Sequence, residues 1–289
     1  MKNRIMASAA TLAVVIAGLS LAPASAASGP PVVRISAQGD QVVISQATMR
    51  PGVVEFRVGT TFVVPGPDGG PDQLSVVRTD QLPLVLESLK TVFADTSTPE
   101  AAAAAAAGMR TVNGAATFYG GGGKGTTWQV DLPAGTYSVV GVPSAIFGLT
   151  KPATFTVAGE RRAGALPATQ ATIRAIGPVG DNRWTFRQTG SPVRWLRFAN
   201  ASKEIHFLDM AGVKPGTTSL DVKKAFSSPA EPKFFTGEGM TVEVISPGVA
   251  VAVKGPIAPG RYLATCFVPS ESDGMPHALM GMWKLVTVE

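Results

Sequence analysis

The sequence is poor in thiol, imidazole and phenol groups: its 289 residues include one cysteine, two histidines and three tyrosines. A single cysteine excludes a disulfide within the chain. Such a cysteine is either a small buried apolar side chain or a metal ligand, and its sequence neighbours must distinguish the two. After the N-terminal segment, no run of roughly 18 apolar residues occurs, so the sequence predicts no transmembrane helix in the remaining chain.

The N-terminus has the pattern of an export signal. Lys2 and Arg4 precede an apolar stretch at 5–21, and the triplet Ala-Ser-Ala follows at 24–26, as at a signal-peptidase site. We interpret residues 1–26 as this signal and predict a soluble mature protein outside the cytoplasm, either secreted or in the cell envelope. Loss of Lys2 and Arg4 lowers the formal net charge from +5 to +3. The remaining cations are scattered, which argues against nucleic acid as a partner.

Short β-branched segments bounded by Gly and Pro recur along the chain and predict an all-β sandwich or barrel. These segments are 32–35, 42–44, 53–58, 128–132, 137–142, 193–198, 241–245, 249–253, 262–268 and 283–288. Three stretches have helical patterns: 86–93, 101–107 and 217–226. The glycine-rich run at 119–125 lacks the first Gly and the final Ser or Thr of a phosphate-binding loop, so we interpret it as a flexible turn.

The two halves of the chain resemble each other, which predicts a tandem duplication. Residues 133–141 align with 258–266, and residues 86–93 align with 220–226 with one residue of slippage. We predict two domains, 27–160 and 172–289, joined through the polar segment 159–171. The first half has no His and no Cys. Gly141 occupies the place of Cys266, and a residue near Gln73 occupies the place of His206, so the chemistry is expected in the second half.

The second half carries residues that resemble the plastocyanin-like cupredoxin family. In FANASKEIH, at 198–206, Asn200 lies six positions before His206; near the C-terminus, Cys266 ends a strand segment, His277 follows it, and Met282 lies five positions after His277. This order is similar to the ligand motif of the blue copper proteins. The resemblance implies two tandem cupredoxin-like Greek-key β-sandwiches with short helical insertions, of which only the second keeps the ligands.

The resemblance implies one type-1-like copper site. His206, Cys266 and His277 would form a trigonal plane with Met282 as a weak axial ligand, a donor set that suits copper; Met280 is the alternative axial ligand. Ten residues separate Cys266 from His277, more than in familiar members of the family. Where the family has an Asn that braces the cysteine loop, the chain has Phe207, so that support is missing or replaced. The segment 208–232 is interpreted as an insertion that contains a helix.

The function expected from this site is electron transfer or copper holding, with a redox protein as a possible partner. Two alternatives stay open. A copper-free interaction protein would use the two sandwiches as a scaffold, and a zinc site would use His206, His277, Cys266 and either Asp209 or Asp273. Two histidines are too few for the additional coppers of a multicopper oxidase, and we expect the protein not to be an enzyme.

Overall fold

The computed structural model describes residues 29–63, 72–92, 94, 98–112, 115–142, 144–230 and 232–289. The predicted export signal at 1–26 lies outside these residues. Among the described residues, no helix is both long and apolar enough to cross a membrane. Strands dominate both halves, and the prediction of an all-β fold class is confirmed.

The described residues form nineteen strands and three α-helices, with a short 3-10 turn at Thr79–Gln81. The strands of the first half are β1 Val32–Gln38, β2 Gln41–Ile44, β3 Thr48–Met49, β4 Gly52–Val58, β5 Gln73–Arg78, β6 Thr111–Val112, β7 Ala115–Ala116, β8 Phe118–Gly122, β9 Thr127–Leu132, β10 Gly135–Val142 and β11 Ala153–Val157. Those of the second half are β12 Ala171–Ile176, β13 Arg183–Gln188, β14 Val193–Asn200, β15 His206–Val213, β16 Phe235–Ile245, β17 Ala250–Ile257, β18 Gly260–Thr265 and β19 Trp283–Val288. The helices are α1 Leu82–Val92, α2 Pro99–Arg110 and α3 Ser219–Phe226.

The two halves pair their strands in the same order. In one sheet the orders are β2-β1-β4-β9 and β13-β12-β14-β17, and in both halves the second strand of this order pairs antiparallel with the first and parallel with the third. A tyrosine recurs at the same place: Tyr137 Oη donates to the Pro133 carbonyl and Tyr262 Oη donates to the Ala258 carbonyl, each at 2.8 Å. This shared architecture supports the predicted duplication, whereas the domain boundaries stay a prediction.

Strands of the two halves pair with each other, so that each of the two large sheets is continuous across both halves. β17 pairs with β9 and β16 pairs with β8, which gives one sheet of eight strands and one of nine. Aromatic side chains fill the space between the sheets of the first half, where the ring centroid of Phe56 lies 5.0 Å from that of Trp128 and 5.9 Å from that of Phe155. Such pairs contribute about 0.5–1.5 kcal/mol each beyond burial.

The glycine-rich run is a strand in its first part, so its interpretation as a flexible turn is wrong there. Residues Phe118–Gly122 form β8, between β5 and β16. A Cβ on Gly121 would lie 1.8 Å from the Leu74 carbonyl oxygen, so only glycine permits this close strand approach. The interpretation of 208–232 as an insertion is also wrong at its start, because β15 extends to Val213.

Glu243 of β16 and Ser75 of β5 interact across β8: Ser75 Oγ donates to Glu243 Oε2 at 3.3 Å. Burial raises the pKa of the Glu243 carboxyl to about 7 from an ordinary 4.5. Between these values the folded protein binds more protons than the unfolded chain. The stability that this carboxyl contributes is therefore fully present below pH 4.5 and is lost as the pH rises through 7.

We predict that Glu243→Gln removes this loss, because the amide does not ionise. The free energy of unfolding of the variant, relative to that of the wild type, should rise by about 2–3 kcal/mol between about pH 5 and pH 8. Urea unfolding of both proteins at both pH values measures this change, and other titrating groups cancel in the comparison. Parallel pH profiles for the two proteins would contradict the prediction.

Candidate metal centre

The structure brings Cys266, His206 and His277 together. The Cys266 Sγ atom lies 3.6 Å from His206 Nδ1 and 3.5 Å from His277 Nδ1. The ligand atoms of the three residues all lie within 4.8 Å of one another, and all three side chains are buried. His206 opens β15, and Cys266 follows the end of β18. Antiparallel pairing of these two strands brings the first histidine to the cysteine across 60 positions of the chain.

The ten-residue segment between Cys266 and His277 closes on itself. His277 N donates to the Val268 carbonyl at 3.0 Å, and Ala278 N donates to the Cys266 carbonyl at 2.7 Å. The intervening residues form a loop that is closed at its base by a backbone bridge between Pro269 and Pro276. The extra length therefore leaves His277 beside Cys266, as a much shorter connection would.

The outer nitrogen of His206 is held by a polar loop. His206 Nε2 lies 2.7 Å from Ser202 Oγ, and Ser202 Oγ donates to Asn200 Oδ1 at 2.7 Å. Because the serine hydroxyl has one proton, we assign the imidazole proton to Nε2, so Nδ1 faces Cys266 as a free acceptor. Asn200, which belongs to the cupredoxin-like motif in the sequence, thus orients His206 through Ser202.

Glu204 is a site residue that the sequence analysis missed. It is fully buried, and its Oε1 lies 3.4 Å from His277 Nε2, an ion-pair distance at which no hydrogen bond forms. Its carboxylate accepts hydrogen bonds from Gly180 N, Asn182 Nδ2, Ser270 Oγ and Glu271 N. Burial by itself raises the pKa of Glu204, but His277 and the backbone donors outweigh it and hold the pKa well below its usual range. Glu204 therefore braces the cysteine loop in place of the expected asparagine.

Burial favours the neutral forms of Cys266 and His206 in the absence of a metal. Burial raises the pKa of the Cys266 thiol to about 12, although the backbone N–H groups of Val268 and Phe207 donate to the sulfur and oppose this shift. Burial, followed by the nearby His277, lowers the pKa of His206 well below its ordinary value. A metal ion that binds here must displace the thiol proton, and the two N–H donors would then support the thiolate.

The two methionine candidates differ in their surroundings. Met282 is 1% exposed and belongs to the same hydrophobic cluster as Cys266, and its backbone N donates to the His277 carbonyl at 2.8 Å. Met280 is 37% exposed. Because Met282 is buried next to His277, it is favoured over Met280 as the axial ligand. The role of Met282 as axial ligand stays a prediction.

The carboxylates of the zinc alternative lie apart from the cluster. Neither Asp209 nor Asp273 belongs to the group formed by the three ligand candidates. Asp209 Oδ1 instead accepts from Thr241 Oγ1 at 3.3 Å, and Asp273 Oδ1 accepts from Met275 N at 3.0 Å. Among the described residues, the zinc alternative therefore lacks the fourth ligand that it requires.

The first half has Asp72 at the place of His206. Asp72 is fully buried, and its Oδ1 accepts from both the backbone N and the Oγ of Ser144. A Cβ on Gly141, the residue at the place of Cys266, would lie 2.2 Å from Asp72 Oδ2. The equivalent position in the first half therefore holds a packed carboxyl group instead of a metal-ligand set.

No protein-family model and no curated protein matches the sequence, but solved structures do. Auracyanin B is 21% identical, with a TM-score of 0.26, and the match covers 44% of this chain and 93% of that chain. Auracyanin from Roseiflexus castenholzii is 18% identical, with a TM-score of 0.24, over 41% of this chain and 94% of that one. A multicopper oxidase is 10% identical, with a TM-score of 0.21, over 89% of this chain and 88% of that one. These structures are what the chain is similar to, and its own strands make the fold all-β, with two large mixed sheets.

The comparison also contradicts one expectation from the sequence. Among the structures matched along most of this chain is an enzyme, the multicopper oxidase. The expectation that the protein is not an enzyme is therefore wrong as stated, because a low histidine count excludes only one class of copper enzyme.

Proposed function

We propose that the protein is an exported copper protein that binds one copper ion at His206, Cys266 and His277 and uses it for electron transfer or copper holding. The observation that carries the proposal is the convergence of one sulfur and two imidazole nitrogens, all within 4.8 Å and all buried. A thiolate with two imidazoles is the donor set of blue copper sites. The export signal at 1–26 is part of the proposal.

The separations between donor atoms fit a shared ion. Two ligands of one ion can be no farther apart than the sum of their bond lengths, which is about 4.3 Å for a sulfur and a nitrogen ligand. The Cys266 Sγ atom lies 3.6 Å and 3.5 Å from the two Nδ1 atoms, within that limit. Bound copper would supply one-electron chemistry and an intense visible absorption from its thiolate bond.

The surroundings favour electron transfer over simple holding. Ser202 holds His206, and two backbone N–H groups point at the Cys266 sulfur without a metal. Glu204 fixes the loop that carries His277 through Ser270 and Glu271. Ligands held in this way rearrange little when the charge of a bound copper ion changes. The reorganisation energy of electron transfer is therefore lower.

A redox partner would reach the centre over an apolar surface near His277. Three large apolar side chains beside the ligands are exposed: Phe267 at 45%, Leu279 at 45% and Met280 at 37%. Exposed apolar groups that flank a buried centre are suited to transient protein contacts. The identity of the partner is open.

The proposal is tested by loading the purified protein with Cu(II) and measuring both bound copper and visible absorption. We expect one copper ion per chain and an intense visible band. Loading with Zn(II) in parallel tests the alternative metal, because zinc gives no such band. A protein that binds neither ion would favour the copper-free scaffold.

We predict that Met282→Leu shifts the reduction potential of the bound copper while copper affinity changes by less than about tenfold, that is, by less than about 1.4 kcal/mol. The reason is that an axial thioether contact is weak but influences the potential. Met280→Leu is the matched control, since Met280 is 37% exposed, and it should leave both properties unchanged. Redox titration followed by the visible band measures the shift; an effect of Met280→Leu alone would reverse the axial assignment.

A further inference from the structure

A cavity lies between the two halves of the chain, next to the metal centre but separate from its donor atoms. It has a volume of about 360 Å³ and is lined by fourteen residues, six from the first half and eight from the second. Met109 of α2, Phe118 of β8 and Val142 of β10 contribute from the first half; Phe207 and Phe267, which follow His206 and Cys266, contribute from the second. Its volume lies within the range of sites for small organic molecules.

The wall of this cavity is apolar apart from a few hydrogen-bond acceptors. Eleven of the fourteen lining residues are apolar, and no Lys or Arg is among them. Glu243 is the ionisable lining residue, and Gln73 and Thr241 complete the polar set. Gln73 Oε1 is buried and accepts no hydrogen bond from the described residues. The cavity therefore has unpaired capacity to accept hydrogen bonds and no cation to balance a carboxylate.

The Glu243 carboxyl is held at its place in the wall. Ser75 Oγ donates to Oε2 at 3.3 Å, and the Val244 backbone N–H also donates to the carboxyl. Because burial raises the pKa of this group to about 7, a cationic ligand would stabilise its charged form at neutral pH and recover part of the desolvation penalty. A neutral ligand would provide no such compensation.

The cavity adjoins a neighbouring cleft. Gln73 and Thr241 line both the cavity and a larger polar cleft of about 830 Å³. Glu238, on the same strand as Glu243, lines this cleft and not the cavity. The two carboxylates thus distinguish a ligand in the cavity from one that binds in the cleft.

We propose that the cavity between the halves binds a small apolar amine, whose ammonium group pairs with the Glu243 carboxylate while its hydrocarbon part packs against the aromatic wall. Binding does not require copper. The site is therefore independent of the proposed metal function, and the metal-free protein tests it without amine coordination to copper.

The test is calorimetric titration of the metal-free protein at pH 8 with two probes of matched shape, 2-phenylethylamine and 2-phenylethanol. We expect one binding site for the amine, with at least tenfold higher affinity than for the alcohol. Glu243→Gln should lower the amine affinity at least tenfold and change the alcohol affinity by less than about threefold, because only the charge pair is lost. Glu238→Gln is the matched control and should leave amine binding unchanged.

A second variant tests the cavity itself. Val142→Phe places a larger side chain in the wall and should lower the affinity for both probes at least tenfold, with circular dichroism showing a retained fold. The proposal is overturned by equal affinity of the two probes for the wild type, by absence of amine binding, or by loss of amine binding in Glu238→Gln in place of Glu243→Gln.

Discussion

Replacing Cys266 with serine is expected to abolish the visible absorption of the copper-loaded protein and to lower its copper affinity by more than about 100-fold. Loss of a group that merely supports a ligand costs about 10–100-fold, and here the soft ligand itself is lost. A serine hydroxyl does not ionise at neutral pH and is a hard donor, so it cannot replace thiolate. Cys266 is the one thiol of the chain, so no other sulfur can form the same bond.

The variant needs a control that separates ligand loss from damage to the strand end. Thr265→Ser changes the neighbouring buried residue and leaves all three donor atoms in place, so it should keep the visible band. Absorption spectra and competitive copper titration of both variants give the comparison, and circular dichroism reports the fold. A band of full intensity in Cys266→Ser would show that copper, where it binds, does not use this sulfur.

Local patterns predicted most of the strands because their apolar alternation is contained within each segment. The repeated tyrosine is an example: the matching segments around Tyr137 and Tyr262 align by sequence, and each phenol makes the same 2.8 Å hydrogen bond to a carbonyl four residues earlier. Helix α3 was also predictable, since Thr218 and Asp221 form a capping box at its start. Such signals depend on neighbours in sequence.

Features that depend on distant contacts escaped prediction. β15 contains Asp209 and Gly212, which weaken a strand pattern, and it is stabilised by pairing with β16 and β18. The glycines of β8 resemble a turn until the Leu74 carbonyl is placed beside Gly121. In each case the partner strand, which the local sequence does not contain, decides the conformation.

The residues of the candidate metal centre also fall into two groups, those that the local sequence predicted and those that it did not. The order of Cys266, His277 and Met282 near the C-terminus was visible as a motif, and so was Asn200 before His206. Glu204 was not, because an isolated acidic residue in a loop carries no pattern. Only the fold places its carboxylate against His277 and the loop between Cys266 and His277. There it supports the loop, as an asparagine at position 207 would in the family that the chain resembles.

The cysteine loop also depends on the first half of the chain. A Cβ on Gly274, which has a φ of 72°, would lie 1.8 Å from the carbonyl oxygen of Pro99, the first residue of α2. At the other end of α2, Arg110 Nη1 pairs with Glu271 Oε2 at 2.9 Å. Helix α2 therefore contacts the loop between Cys266 and His277 at both of its ends.

We predict that Gly274→Ala lowers the free energy of unfolding by about 2–5 kcal/mol. The left-handed φ costs a residue with a Cβ about 1–2 kcal/mol, and the clash with Pro99 adds about 1–3 kcal/mol because backbone must move. Gly248→Ala is the matched control: its φ is 81°, but nothing lies within 4 Å of the added Cβ. It should lose only the conformational contribution of about 1–2 kcal/mol.

Urea unfolding of the two glycine variants isolates the contact, because the difference between them removes the cost of the shared φ. A difference of about 1–3 kcal/mol would show that α2 is packed firmly on the cysteine loop. Copper affinity should fall in Gly274→Ala and not in Gly248→Ala, since Glu271 in the same loop donates to Glu204 and so fixes His277. Equal stability of the two variants would instead mean that α2 moves away from Gly274 at no cost in unfolding free energy. The first half of the chain would then not support the metal centre.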